Sequence, residues 1–321
     1  MSLKIPQTVR RLLPVVISLG IIGLAASVLW RSLAHIDPRA VLHHLQALPV
    51  LLVLASLLAT SAAYAALAFY EVQMLRHVSP AVSARRAFVT ALSAYPIGHA
   101  IGFGALSGGA VRLRIYGAAG VDALGIARIV VLSAMPYALG LGVLLGLALI
   151  VDAEQAAALL GIRPSTAVLV GAVSFALHGG YVAAVRWRQR PFRIGERDIS
   201  LPPPHLTRQQ YAMGLIDVAA AVAALYVLLP ESASIGYPAF IAVYVLCILA
   251  ALASSVPAGL GVFEATLFAL LPSVPKDQLL ASVLAYRLIY ELVPFSIGVA
   301  LFTAYEARAR WLSWKRSRHP G

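Results

Sequence analysis

Charge, cysteine and the usual catalytic signatures are all scarce in this chain. Charged residues make up 12% of its 321 positions, and the one cysteine, Cys247, excludes a disulfide framework or a cysteine metal cluster. Because Cys247 lies in an apolar run, it is predicted to be a packed thiol. HExxH, GxSxG and GxxxxGK[ST] motifs are missing and the histidines show no ligand spacing, so we predict no catalytic residue, no metal and no cofactor.

Apolar surface is what the chain has in excess. Hydrophobic residues make up 60% of it, with a mean hydropathy of +0.85, which is more than a soluble core could bury. We therefore predict an all-α integral membrane protein with a single polytopic membrane domain over residues 1–321. Apolar runs long enough to cross a bilayer lie near 12–30, 48–70, 129–151, 164–185, 211–229, 237–256 and 279–304.

Two further apolar segments, 88–106 and 257–271, are short and interrupted by glycine and proline. Basic residues in short loops stay on the cytoplasmic side, which tests whether each segment crosses. If 88–106 dips in and returns while 257–271 crosses, twenty of the 25 lysine and arginine residues are cytoplasmic and four are outside. This predicts about eight transmembrane helices, one or two broken or re-entrant helical segments, and both termini in the cytoplasm.

A short pattern occurs twice in the chain. Pro136-Tyr-Ala-Leu-Gly140 matches Pro294-Phe-Ser-Ile-Gly298, and each copy follows one of the two interrupted segments. In the topology above the two copies run in opposite directions, as in the inverted repeats of many transporters. Chance similarity is the alternative, because proline and glycine are common in membrane helices.

The residues that follow the first interrupted segment suit an anion. Ser107, Gly108 and Gly109 can present backbone N–H groups, and Arg112 and Arg114 come directly after them. A glycine-rich turn at a helix start, together with guanidinium groups, binds phosphate. The alternative is a re-entrant turn that carries two cytoplasmic arginines.

The second interrupted segment adds an acid. Glu264 follows Gly259 and Gly261 within an apolar run, where a carboxylate usually faces a cavity or a cation and could couple transport to ions. Arg287, in the last span, either pairs with Glu291 four residues later or pairs with Glu264 or a lipid phosphate.

Four other polar residues lie at membrane depth. Tyr286 and Tyr290 share the last span with Arg287 and are expected to line the same path. For Asp217, a hydrogen bond to a neighbouring helix is favoured over a role in transport. His99 is either a hydrogen-bonded residue of a helix end or a group that titrates in a cavity.

Three stretches together resemble a known family. They are LSGGAVRLRIYGAAGVDALGIARIV at 106–130, SSVPAGLGVFEATLFALLP at 254–272 and LAYRLIYELVPF at 284–295. They are similar to the membrane domain of the bacterial multiple peptide resistance factor family, also called the lysylphosphatidylglycerol synthase transmembrane or flippase domain, over about residues 10–310. The resemblance implies a flippase of the bacterial cytoplasmic (inner) membrane that translocates aminoacylated phosphatidylglycerol, or a related anionic phospholipid, and gives resistance to cationic antimicrobial peptides.

The residue pattern and the resemblance together predict a path for the lipid headgroup inside a positively lined cleft. Its residues are Ser107, Gly108, Gly109, Arg112, Arg114, Tyr116, Arg128, Gly259, Gly261, Glu264, Tyr286, Arg287, Tyr290 and Glu291. Complete family members also carry a soluble acyltransferase-like domain, which this sequence does not contain.

Two alternatives to a flippase of that lipid stay open. In the first, the chain is the membrane part of a phosphatidylglycerol lysyltransferase (aminoacyl-phosphatidylglycerol synthase) whose catalytic domain is separate or missing. In the second, it transports another anionic or polyprenyl-linked lipid. The predicted partners are the phospholipid substrate, the lipid bilayer, a second copy in a homodimer and a separate synthase domain. Nucleic acid is not among them, because the net charge of +12 is explained by basic residues beside spans that attract anionic headgroups.

Overall fold

The computed structural model describes residues 47–101, 104–187, 192–194, 197–199, 202–254 and 257–318. Within these ranges the chain is helical, apart from a short antiparallel hairpin of β1 (Phe192–Ile194) and β2 (Arg197–Ile199). The predicted all-α class is confirmed. The predicted span 12–30 lies outside the described residues.

The helices follow one another through short connections. They are α1 (Val50–Val78), α2 (Ala84–Ile101), α3 (Gly104–Gly117), α4 (Ala123–Val151), α5 (Ala153–Leu160), α6 (Pro164–Trp187), α7 (Pro204–Tyr226), α8 (Tyr237–Ser254), α9 (Val262–Leu270), α10 (Lys276–Tyr286) and α11 (Val293–Arg318). Single 3-10 turns lie at Glu231–Ala233 and Pro257–Gly259, and a π-helical segment, Arg287–Leu292, joins α10 to α11 without a break.

Four helical segments of the described residues are long and apolar enough to cross a membrane. They are Val50–Val78, Ala123–Val151, Pro164–Trp187 and Gln278–Leu312. The predicted count of eight is therefore not reached in this part of the chain. α7 falls short because it begins with polar residues and carries Asp217. The nine residues of α9 rise by only about 14 Å, against a hydrocarbon core of about 30 Å, so segment 257–271 does not cross as one helix.

Each interrupted segment instead folds back on its neighbour. α3 packs against α2, which is continuous through Pro96 and ends at Ile101. In the same way, α9 packs against α8 after the turn at Pro257–Gly259. A long helix that contains a copy of the repeated pattern follows each of these two hairpins.

The proline of each repeated pattern leaves a backbone carbonyl without its helical donor, because proline has no N–H. The two carbonyls, four residues before each proline, belong to Leu132 and Tyr290. Tyr70 donates its hydroxyl to the Leu132 carbonyl at 3.1 Å, and Tyr64 donates to the Tyr290 carbonyl at 3.2 Å. Since both tyrosines lie on α1, the two copies of the pattern have corresponding roles in the fold.

α4 and α7 cross with their backbones in direct contact. A Cβ atom at Gly214 of α7 would overlap the Pro136 carbonyl of α4, and one at Gly140 would overlap the Gly214 carbonyl. This close approach carries Asp217, three residues after Gly214, into the interior. Cys247 of α8 is a buried free thiol, as predicted.

Candidate functional site

A cavity of about 460 Å³ lies between α1, α2, α3, α4, α7, α8 and the π segment. Its wall brings together predicted path residues from the stretch after the first interrupted segment, from the second interrupted segment and from the last span. These residues are Arg112, Gly259, Tyr286, Tyr290 and Glu291. Most of the remaining wall is apolar, with further hydroxyls from Tyr95, Tyr137 and Tyr244.

Arg112 of α3 is held by an acid of α1 that the sequence analysis did not single out. Its Nε and Nη2 atoms donate to the two carboxylate oxygens of Glu71, each at 2.9 Å, and both side chains are almost fully buried. The hydroxyls of Tyr116 and Tyr95 donate to the same carboxylate at 2.8 and 3.1 Å. The Arg112 guanidinium also lies 4.7 Å from the centre of the Tyr95 ring. Glu71 therefore accepts four hydrogen bonds, and the Arg112 fork is largely committed to it.

The glycines before Arg112 lie inside a helix, so the expected glycine-rich turn at a helix start is wrong. α3 begins at Gly104, and only the first four N–H groups of a helix lack an internal partner, which leaves those of Gly108 and Gly109 engaged. A Cβ at Gly108 would lie 2.8 Å from the Ala94 carbonyl. Gly108 thus allows α2 and α3 to pack closely, while Ser107 is buried beside it.

Two of the predicted basic residues lie away from the cavity wall. Arg114 pairs with Glu306 of α11, with 2.8 Å between Nε and Oε1. This pair joins the first hairpin to the last helix. Arg128 is exposed on α4 and does not line the cavity.

Arg287 makes both of the ion pairs that the sequence left as alternatives. Its Nε lies 2.6 Å from a Glu264 oxygen, and its Nη1 donates to Glu291 at 3.0 Å. Nη1 also reaches the carbonyl of Ala258 at 3.4 Å, and Ala258 has a left-handed backbone with φ of 53°. Glu264 accepts a further bond, at 2.8 Å, from the N–H of Gly261, itself at φ 81°. The cluster fastens the 3-10 turn and the start of α9 to the π segment.

The predicted hydrogen bond of Asp217 to a neighbouring helix is wrong. Asp217 is 1% exposed and lines the cavity, and neither carboxylate oxygen has a hydrogen-bond partner within the described residues. His99, near the end of α2, is a hydrogen-bonded histidine, because its Nδ1 lies 3.3 Å from the Tyr64 hydroxyl. It also lines the cavity, and its titration there stays a prediction.

The charge of the site differs from the positively lined cleft expected from sequence. Its two arginines, Arg112 and Arg287, are each held by carboxylates. The acids at or beside the wall are Glu71, Asp217, Glu264 and Glu291. With four acids and two bases, the described site carries more potential negative than positive charge.

These features define a helical membrane protein with a partly polar and partly open cavity within its bundle. No family model matches the chain. It is 30% identical over 244 residues, 76% of this chain and 76% of the relative, to the protein named Uncharacterized protein slr0712 from Synechocystis sp. (strain ATCC 27184 / PCC 6803 / Kazusa). The chain belongs to the same family as that cyanobacterial protein.

Proposed function

We propose that this protein is a lipid flippase or scramblase that passes a phospholipid headgroup through the cavity while the acyl chains stay in the bilayer. The proposed substrate is aminoacylated phosphatidylglycerol or a related anionic phospholipid. The resemblance of the three sequence stretches to the flippase domain supports this function, and so does the cavity itself.

The cavity is the observation on which the proposal rests. Its volume, about 460 Å³, lies in the range typical of sites for small molecules. Irregular backbone at membrane depth is tolerated where it is buried or lines a wet cavity, and the turn residues Ala258 and Gly259 do line this one. The tyrosines add hydroxyls to a mostly apolar wall, which suits a ligand with a polar head and an apolar body.

Arg112 is the fixed cation of this wall. Since Glu71 occupies its Nε and Nη2, the guanidinium is held in one orientation while it still lines the cavity. In the proposed mechanism a headgroup phosphate contacts this oriented cation instead of a loose arginine side chain. Orientation before binding lowers the entropy cost of recognition.

The proposed topology has six crossings and two re-entrant hairpins. Five crossings are described helices: α1, α4, α6, α7 and the α10–π–α11 helix. The sixth is the span predicted from sequence at 12–30, outside the described residues, and the hairpins are α2–α3 and α8–α9. This arrangement gives the same distribution of basic residues as the eight crossings considered above, and both termini remain in the cytoplasm of a bacterial inner membrane. The first hairpin then enters from the cytoplasm and the second from outside, as an inverted repeat requires. α2 and α8, which open the two hairpins, each have 18 residues.

Labelling of single cysteines tests the topology. In a Cys247→Ser background, Ala118→Cys follows the first hairpin and Ser273→Cys follows the second, and both positions are exposed. We expect a membrane-impermeant maleimide to reach residue 118 from the cytoplasmic side only and residue 273 from the outer side only. Reaction of both from one side would contradict the inverted arrangement.

Blocking the cavity tests the function. In vesicles with a fluorescent phospholipid in one leaflet, the purified protein is expected to speed redistribution between leaflets. Ala134→Trp places an indole in the cavity wall and should return the rate close to that of protein-free vesicles. Ala176→Trp is the matched control, because Ala176 is exposed on α6 and does not line the cavity. Equal rates in the two variants would remove the cavity from the transport path.

The identity of the lipid is tested in the same vesicles. Lysyl-phosphatidylglycerol, phosphatidylglycerol and phosphatidylethanolamine are supplied one at a time. The proposal expects the aminoacylated or the anionic lipid to move fastest. Equal acceleration of all three would indicate a scramblase without headgroup selection.

A further inference from the structure

We propose that Asp217 is the proton-binding site of the cavity, and that proton uptake and release there drive the movement of the lipid. Coupling of the proton to lipid movement rests on the function proposed above, whereas proton binding by Asp217 is independent of it.

Asp217 carries a carboxyl group that none of the described residues compensates. Asp217 is 1% exposed, and both of its oxygens lack a hydrogen-bond partner among the described residues. None of the ion pairs in the described ranges includes it. An isolated carboxylate in such a place is strongly unfavourable, so a positive charge must accompany it or a proton must neutralise it.

The charged neighbours do not supply that positive charge. Arg112 shares the cavity but is held by its glutamate partner, and Glu291 is held by Arg287. His99 also lines the cavity, and its Nδ1 lies within hydrogen-bond distance of Tyr64. Each of these groups has a partner of its own, which leaves Asp217 as the uncommitted acid of the described wall.

The helices packed against α7 contribute mainly phenols near this position. α7 contacts α1, α4, α6, α8 and α10. Tyr137 of α4 and Tyr290 line the cavity, and Tyr244 of α8 and Tyr286 of α10 bond to each other through their hydroxyls at 2.7 Å. His178 of α6 hydrogen-bonds its own helix, at the Ser174 carbonyl. Phenols are neutral at physiological pH, so they do not balance an anion.

A proton fits this site better than a metal ion. A hard cation needs several oxygen ligands with negative charge, whereas a proton needs one carboxyl oxygen. Within the described residues, no group of three or more His, Cys, Asp and Glu side chains could hold a metal ion. Glu264, the residue first considered for ion coupling, is already bonded to Arg287 and Gly261.

The transfer itself is simple. When the cavity is open to one side, the Asp217 carboxylate takes a proton from hydronium and leaves a water molecule. When the cavity is open to the other side, the neutral carboxyl gives that proton to water and hydronium forms again. Each transfer breaks one O–H bond and forms another, so one proton crosses the membrane and no other reactant is consumed. Because the neutral form is the one that a dry cavity tolerates, protonation favours the closed state through which the carrier changes sides.

Infrared spectroscopy tests proton binding without any lipid transport. At neutral pH the wild-type protein is expected to show the carbonyl-stretch band of a protonated carboxyl group. Asp217→Asn should lose that band, whereas Asp217→Glu should retain it and Glu231→Gln, an exposed control, should leave it unchanged. Absence of the band from the wild type, or its persistence in Asp217→Asn, would overturn the assignment whether or not the protein moves lipid.

Vesicles with an imposed pH gradient test the coupling. A gradient of one pH unit should shift the leaflet distribution of the lipid by about tenfold for each coupled proton in the wild type. In Asp217→Asn the final leaflet distribution of the lipid should not respond to the gradient, whatever the rate at which the lipid equilibrates. A gradient response in that variant, or stabilisation of the wild type by sodium but not by potassium, would contradict the proton site. If the wild-type protein does not speed lipid movement at all, that result would instead count against the proposed function.

Discussion

Replacing Glu71 by glutamine is expected to lower the free energy of unfolding by about 3–5 kcal/mol, because Arg112 would be left buried without its counter-charge. The ion pair is bidentate and both side chains are almost fully buried, so solvent cannot take over the role of the carboxylate. The hydroxyls of Tyr95 and Tyr116 would also donate to a neutral amide, which is a weaker acceptor than the Glu71 carboxylate. The measurement is the midpoint of thermal unfolding in detergent. Glu231→Gln, at an exposed turn, is the control for loss of an acid and should unfold as the wild type does.

A double variant distinguishes two causes of the lost stability, namely the loss of the ion pair itself and the burial of an unpaired arginine. Glu71→Gln combined with Arg112→Met removes both charges, so no charge is left buried without a counter-charge. The double variant should therefore be more stable than Glu71→Gln alone. If its stability equals the sum of the two single losses, the side chains are not coupled and this account of the pair is wrong. Lipid transport by the stable double variant then reports whether Arg112 is needed for the headgroup.

Among single glycine-to-alanine substitutions in the described part of the protein, Gly214→Ala is expected to lower stability the most. The added Cβ would overlap the Pro136 carbonyl, which is backbone and cannot move aside as a side chain could. Forced overpacking costs about 1–3 kcal/mol when neighbours can adjust, and this site should lie at or above the upper limit. We expect a low yield of monodisperse protein and a strongly lowered unfolding temperature.

The matched control for this change lies on α6. Gly180 is also a helical glycine, but nothing lies within 4 Å of the position that its Cβ would take. Gly180→Ala should be neutral or slightly stabilising, because alanine is favoured over glycine in helices by about 1 kcal/mol. Similar unfolding temperatures for the two variants would mean that α4 and α7 do not cross as described.

Composition and hydropathy predicted the class of the protein but overstated the number of crossings. The length of an apolar run does not show whether its helix continues to the far side, and segment 257–271 turns back beside α8 as a nine-residue helix. The repeated proline pattern was the better guide. Each proline is compensated by a tyrosine of α1, although no local rule connects residues so far apart in sequence.

In the site, too, contacts between residues close in sequence were easier to predict than contacts between distant ones. Arg287 and Glu291 are four residues apart on one helix, so their pairing was among the alternatives that the sequence offered. Glu71 was missed because it ends an apolar run and its partner is 41 residues away. For Asp217 a general rule misled the prediction. An acid within a span normally finds a hydrogen-bond donor on a neighbouring helix, and this one has none among the described residues.

The π segment at Arg287–Leu292 bears on how a family of such proteins can vary in length. A π turn is wider than an α turn and accommodates one extra residue, so deleting one position there would restore a regular α-helix with the register of α10 and α11 intact. Relatives shortened by one residue at this place would keep the pair between Arg114 and Glu306 at the distal end. They would lose the alignment of Tyr290 and Glu291 on the cavity wall, so that an indel of a single codon would reshape the cavity and leave the architecture intact.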